Sequence, residues 1–202
     1  FPETAERFKN GKYCGSPLRK ELFNGRRTEA IKKYGLAAGK KTVLVFGGGS
    51  GSRAINDGLR KYVSALSRKY NVLHLCGKGN VVESNIPCYV QKEFEPDMGA
   101  AYAAADLVVS RAGSNAIFEI LALKKPSLLI PLEGQSRGDQ AENAAYFQKR
   151  HLCRVLKQAD MDFLPEAIED ALADEELLSA LAVSDFAGGN SNILHELHRF
   201  LV

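Results

Sequence analysis

The sequence predicts an α/β protein, a Rossmann-like doubly wound parallel sheet of about six strands. Three observations carry that prediction. Short apolar runs recur at 42–46, 71–75, 88–91, 106–110, 127–131 and 153–156, and helical patterns separate most of them. The runs are continuous rather than alternating, as in Thr42-Val43-Leu44-Val45-Phe46, which suits strands covered by helices on both faces. Three of the strands lead into glycine-rich or polar turns that open helices, at Gly47 to Arg53, Arg111 to Asn115 and Gly134 to Gln140.

The elements follow in chain order. Tyr13-Cys14-Gly15-Ser16-Pro17-Leu18-Arg19 reads as a turn, a charged helix follows near 19–34, and Gly35 to Lys41 is a connector rich in Gly and Lys. Residues 1–40 therefore form a leading segment, and 41–202 the doubly wound domain. Helices are expected at 53–69, 98–104, 115–124 and 139–150 between the strands. The tail carries further helices near 162–172, 174–182 and 191–201, broken at Gly188-Gly189. No solenoid repeat and no low-complexity tract is present.

Composition narrows the classes. With 202 residues, 45% hydrophobic and 25% charged, the chain can bury a core like an ordinary globular protein. A net charge of +3 does not argue for nucleic acid, and none is expected as a partner. Cys14, Cys76, Cys88 and Cys153 are scattered with no CxxC pair, so they read as free thiols in a reducing cytoplasm. No run approaches the roughly 18 apolar residues of a membrane span, and no signal peptide is seen. The chain opens Phe1-Pro2-Glu3-Thr4 with no Met, and is expected to be part of a longer protein.

The loops carry the chemistry. After a strand, Gly47-Gly48-Gly49-Ser50-Gly51 lets backbone approach a phosphate, with Ser50 or Ser52 as donor or cap. It is not a P-loop, because no Gly-Lys-Ser/Thr follows. It is a poor dinucleotide fingerprint too, since no acidic residue ends the next strand, Asn71-Val72-Leu73-His74-Leu75-Cys76. A tight turn without ligand is the competing reading. Arg111-Ala112-Gly113-Ser114-Asn115 opens a second helix whose amide dipoles would favour an anion, and Glu119, about one turn inside, can accept hydrogen bonds from a diol such as ribose. Arg111 either touches ligand, pairs with Asp106 or supports the turn. Asp139, Gln140 and Asn143 share a helical face suited to sugar hydroxyls, although Ser136 with Asp139 has the spacing of a structural cap. His74, His151, His195 and His198 form no metal or nucleophile constellation, and no catalytic base is evident.

Taken in order, these residues resemble a known family. Gly15-Ser16-Pro17-Leu18-Arg19, Gly47 to Arg53 with Asn56, Phe94-Glu95-Pro96-Asp97-Met98, Ala104-Ala105-Asp106, Arg111-Ala112-Gly113-Ser114, Glu119, Pro131 and Asp139-Gln140 with Asn143 are similar to the C-terminal half of the MurG family. The resemblance covers nearly the whole chain. It implies the donor half of a GT-B glycosyltransferase, in which two Rossmann-like domains face a cleft. It further implies an inverting, metal-independent transfer of N-acetylglucosamine from its UDP sugar to an undecaprenyl-linked muramoyl-pentapeptide, the lipid I to lipid II step of peptidoglycan synthesis. Glu119 would bind the ribose, Phe94 and the Glu95 backbone the uracil, and Arg19 would sit near the nucleotide. Gly48, Gly49, Ser50 and Gly51 would approach the diphosphate, and Ser114, Asn115, Asp139, Gln140 and Asn143 the sugar and its phosphate. No cofactor beyond the UDP sugar is implied. The catalytic base, the acceptor site and the membrane-docking surface would belong to the absent N-terminal domain. On this resemblance the fragment alone is inactive, the helix before residue 41 links the two domains, and the full-length enzyme is peripheral on the inner face of the cell membrane.

Two departures stand out. The family writes Gly-Gly-Ser-x-Gly-Ala where this chain has Gly47-Gly48-Gly49-Ser50-Gly51-Ser52, so Gly49 replaces a phosphate-binding Ser, and Asp139 stands where Gln is common. Rival readings are a UDP-sugar glycolipid synthase, a stand-alone binding subunit that needs a membrane partner, and a nicotinamide oxidoreductase domain.

Overall fold

A computed structural model describes residues 2–132, 139–186 and 188–201. Its centre is a parallel sheet of six strands in the order β3-β2-β1-β4-β5-β6. The strands are β1 (Thr42–Phe46), β2 (Asn71–Leu75), β3 (Tyr89–Lys92), β4 (Leu107–Ser110), β5 (Ser127–Leu129) and β6 (Arg154–Val155). Register runs Val43 to Val72 on one side of β1 and Val43 to Leu107 on the other. The chain winds outward from β1 to β3, then returns to β4 and winds the other way. The loops after β1 and β4 therefore diverge, leaving a crevice at the carboxyl edge of the sheet.

Successive side chains of a strand point to opposite faces, and both faces are buried, which explains the unbroken apolar runs. Val43, Val45, Val72, Leu107 and Val109 face one layer. There α3 (Arg53–Lys69) lays down Ile55, Leu59, Val63 and Leu66, a stripe at helical spacing, beside α7 (Leu164–Ala173). Leu44, Phe46, Leu73, Leu75 and Val108 face the other layer, which holds α2 (Arg27–Lys33) and α4 (Met98–Ala104). A third cluster joins α5 (Ser114–Ala122), α6 (Asp139–Gln148) and α8 (Glu175–Val183) through Ile117, Phe118, Leu121, Phe147, Leu177 and Leu181. The helices α1 (Pro2–Ala5) and α9 (Asn190–Leu201) flank the domain, and Leu18 is tied to α9 by two hydrogen bonds with the Asn190 amide, at 2.9 and 2.7 Å. The four cysteines are free, and burial pushes the Cys153 thiol up to about 12.

The expected helix near 19–34 is broken. A 3₁₀ turn spans Lys20–Asn24, Gly25 is extended, and α2 begins at Arg27. Contact causes the break. A Cβ on Gly25 would lie 2.1 Å from the Gly99 carbonyl oxygen, and one on Gly99 would lie 2.6 Å from that of Glu21. The two backbones touch, and a continuous helix would not bring them together. The expected run 127–131 ends as a strand at Leu129, and 153–156 shrinks to Arg154–Val155. The leading segment also shares the domain core, because Leu22, Ala30, Tyr34 and Leu36 pack in the cluster of Leu44 and Phe46.

One polar chain crosses this apolar interior. The Asn56 amide donates to the Cys76 carbonyl at 2.9 Å, so its oxygen is the acceptor for Nε2–H of fully buried His74, also at 2.9 Å. Nδ1 of His74 then accepts from the Tyr89 hydroxyl at 2.9 Å. Burial, with help from the Arg60 charge, lowers the His74 pKa from 6.5 to about 4. The imidazole is neutral in the folded chain but takes a proton below pH 6.5 when unfolded. Stability from this residue is therefore complete above pH 6.5 and is lost as pH falls towards 4. Urea unfolding should show about 2 kcal/mol less stability at pH 5 than at pH 7. In His74→Asn that pH step should largely vanish; an equal step in the variant would assign it to other groups.

Candidate functional site

The crevice at the switch point is a cleft of about 760 Å³, lined by Phe46, Gly48, Ser50, Gly51, Arg111, Gly113 and Gln140 among others. Its floor is the turn between β1 and α3. Gly48 and Gly51 adopt φ of +95° and +80°, the left-handed region where a Cβ is strained. Gly51 also lies against the loop after β2, since a Cβ there would come within 2.1 Å of the Cys76 carbonyl oxygen. Gly49 is different: a Cβ there meets nothing within 4 Å, so a serine would fit and packing does not require the glycine. Ser52 caps α3, its hydroxyl accepting from the Ile55 N–H at 3.4 Å.

Two helix N-termini meet the cleft. Ser52, Arg53 and Ala54 bring that of α3, and Gly113 and Ala116 that of α5. The cap of α5 is Gly113, which supplies no side-chain hydrogen bond, and its first turn holds no acidic residue. Its leading N–H groups and dipole therefore favour an anion from outside the helix. Position removes one reading of Arg111, the pair with Asp106. The arginine follows β4, whereas Asp106 precedes it and receives Arg27 at 2.8 Å and the Thr42 N–H at 2.7 Å. The Arg111 guanidinium donates to the Ile130 and Pro131 carbonyls, both at 3.1 Å, to the Ser52 hydroxyl at 2.8 Å and to Gln158 at 2.6 Å. It supports the turn, and it lines the cleft as well.

Glu119 lies one turn further along α5, its side chain 18% exposed. Oε2 accepts from the hydroxyl of buried Tyr102 at 3.1 Å, and Oε1 faces the Arg19 guanidinium at 3.4 Å. Arg19 and Glu119, 100 residues apart in sequence, are thus brought together. Beyond the other side of β1, Phe94 is 64% exposed just past β3, a bare ring open to stacking. Glu95 turns inward. Its carboxylate accepts from Lys92, from Lys33 at 3.2 Å and from the Asp97 N–H at 3.0 Å. Burial alone would raise its pKa, but these donors outweigh it and hold the group below the usual carboxylate value. The Glu95 side chain is therefore an anchor for the Phe94 loop, leaving its backbone as the part available to a ligand.

The remaining expected residues scatter. Gln140 is at the cleft and accepts from the Leu132 N–H at 3.0 Å. Asn143 is buried, its amide donating to the Ala112 carbonyl at 3.1 Å, so it braces the α5 turn. Asp139 and Asn115 are exposed at the starts of α6 and α5. Ser114 borders a separate hollow of about 400 Å³ with Pro17 and Phe118. The proposed cap at Ser136 and the loop from Gly134 lie outside the described residues. Sequence reasoning missed Tyr102, Gln158 and Gly77. Only Gly77 left a trace, as a glycine after a strand; its φ is +89° and a Cβ would lie 2.4 Å from the Ser50 carbonyl oxygen. A further hollow of about 560 Å³, lined by Glu3, Arg7, Asn143, Tyr146 and Arg150 among others, shares no residue with the glycine turn.

The packing at Gly51 yields a direct expectation. Gly51→Ala should cost about 2 kcal/mol or more in urea unfolding, since it combines strained φ with a backbone clash. A variant as stable as the wild type would show that the β1–α3 turn is not held as described.

Comparison with known proteins fits this geometry. Residues 42–186 match the family model described as the glycosyltransferase family 28 C-terminal domain. The UDP-N-acetylglucosamine–N-acetylmuramyl-(pentapeptide) pyrophosphoryl-undecaprenol N-acetylglucosamine transferase of Clostridium perfringens is 39% identical over 203 residues, covering 96% of this chain and 57% of that protein. The protein of the same name from Oceanobacillus iheyensis is 45% identical over 166 residues, covering 80% and 46%. The crystal structure of Acinetobacter baumannii MurG aligns with a TM-score of 0.68 at 20% identity, over 94% of this chain and 58% of that one. A kitacinnamycin glycosyltransferase aligns equally well, with a TM-score of 0.68 at 21% identity over 85% and 43%. At those identities the structures speak for the fold. The chain spans 57% of the Clostridium relative's length and 46% of the Oceanobacillus one.

Proposed function

Because this chain belongs to the family of glycosyltransferase family 28 C-terminal domains, we propose that it is the donor-binding half of an inverting N-acetylglucosaminyltransferase. It holds UDP-N-acetylglucosamine while the sugar passes to an undecaprenyl-diphosphate-linked muramoyl-pentapeptide. One observation carries the reading: two helix N-termini converge on a glycine-floored cleft at the switch point, and a carboxylate stands one turn along the second helix. The convergent dipoles suit a diphosphate, and the carboxylate suits a ribose diol.

Chemistry follows from that arrangement. The acceptor hydroxyl attacks the anomeric carbon from the face opposite UDP, the bond from that carbon to the phosphate oxygen breaks, and UDP leaves with the electron pair. N–H groups of the β1–α3 turn and of α5 stabilise the charge gathering on the leaving diphosphate, the role a preorganised oxyanion site plays elsewhere. The hydroxyl's proton goes to a base in the other half of the enzyme. The donor domain is residues 41–202 together with the part of the leading segment packed into its core, and the complete enzyme works on the cytoplasmic face of the membrane. The fragment alone is inactive on the lipid-linked acceptor.

Donor binding without a divalent cation belongs to the same proposal, because the Asp160-Met161-Asp162 triplet after β6 is not among the residues lining the cleft and Asp162 is paired with Lys61 at 2.5 Å. Calorimetry should show weak UDP or UDP-N-acetylglucosamine binding that survives EDTA, and no binding of NADH. Glu119→Ala should lower UDP affinity about tenfold or more with the fold intact by circular dichroism, as expected for lost hydrogen bonds to a charged group. Unchanged affinity in the folded variant would remove Glu119 from the site. NADH binding, or a large loss with EDTA, would contradict the reading.

A further inference from the structure

Glu119 is reached from behind by a residue that no motif marks. Tyr102 lies on α4, is 1% exposed, and makes an edge-on contact with Phe46 at 6.2 Å between ring centres. Phe46 itself lines the glycine cleft. The Tyr102 ring is thus wedged between the cleft wall and α5, and its hydroxyl meets Oε2 of Glu119 at 3.1 Å. The opposite oxygen faces Arg19 at 3.4 Å, but that arginine is 59% exposed. A long, solvated ion pair of this kind fixes little by itself. Tyr102 is the rigid member of the set.

We propose that Tyr102 is a positioning residue for ribose recognition: its hydroxyl holds the Glu119 carboxylate in the orientation that accepts the 2′- and 3′-hydroxyls of a nucleoside diphosphate. The inference rests on the ribose reading of Glu119 given above. Each carboxylate oxygen carries two lone pairs, so Oε2 can take the tyrosine and still accept from a sugar. Burial, and then the Glu119 charge, raise the tyrosine pKa well above its ordinary 10. The hydroxyl therefore stays a donor across the working pH range. Tyr102 touches no ligand; it restricts the rotamers of the group that does.

The test is calorimetry of the 202-residue chain with UDP and with 2′-deoxy-UDP, for wild type and Tyr102→Phe. Phenylalanine keeps the ring and its contact with Phe46, and circular dichroism with the melting temperature checks the fold. Wild type should prefer UDP severalfold. Tyr102→Phe should weaken UDP by about fivefold and 2′-deoxy-UDP by less than about twofold, in line with one hydrogen bond to a charged partner. In a Glu119→Ala background the same change should cost UDP nothing further. If both ligands weaken equally, if the preference is unchanged, or if loss persists without Glu119, then Tyr102 only packs, and the positioning role is overturned while the ribose reading stands. A wild type that does not distinguish the two ligands would overturn the ribose reading, and the Tyr102 proposal with it.

Discussion

The carboxyl edge of the sheet depends on one guanidinium. Arg111 leaves the end of β4 and donates to the two carbonyls that follow β5, to the hydroxyl that caps α3, and to Gln158. It thereby ties together strand ends that the reversal of winding would otherwise splay apart. The Ser52 hydroxyl it holds also caps the helix entering from the glycine turn. Withdrawing the guanidinium would leave charge-assisted bonds unmade at several backbone and side-chain acceptors at once, the costly direction of hydrogen-bond loss. Turn, cap and cleft are consequences of that anchor.

Much of this was legible beforehand, for a physical reason. Strands buried on both faces are apolar at most positions, so Thr42 to Phe46 and Leu107 to Ser110 announced themselves, and the helices between them implied a parallel sheet. The glycine turn and Glu119 were visible because each departs from its surroundings. The helix expected near 19–34 failed because its charge pattern is silent about what lies across from it. Gly25 breaks it by touching Gly99, 74 residues on in the chain. Tyr102 was hidden in the same way: in an alanine-rich helix it reads as core, and its partner belongs to another element. Arg111 could not be placed from sequence because Asp106 is close in number, yet the strand between puts them at opposite ends of the sheet.

The expected ligand residues divide by how they are held. Gly48, Ser50, Gly51 and Gln140 line one cleft, with Glu119 and Arg19 paired nearby. Glu95 and Asn143 spend their side chains on the framework, one anchoring the loop of Phe94 and the other bracing Ala112. Under the proposed function such groups act on binding through the backbone they immobilise. Gly49 shows the opposite case, a departure from the family pattern with open space at its Cβ. Nothing in the packing fills the place of the missing hydroxyl, and under the proposed function backbone N–H groups and Ser50 are left to meet the diphosphate.

The proposed function puts the ligand at the switch point between β1 and β4. Amide chemical-shift mapping of the chain titrated with UDP-N-acetylglucosamine tests it most directly. The largest shifts should fall at Gly48 to Ser52, Gly113 to Ala116 and Glu119, with little change around Glu3, Arg7 and Tyr146. Shifts concentrated in that second hollow, or at the amino edge of the sheet, would contradict it.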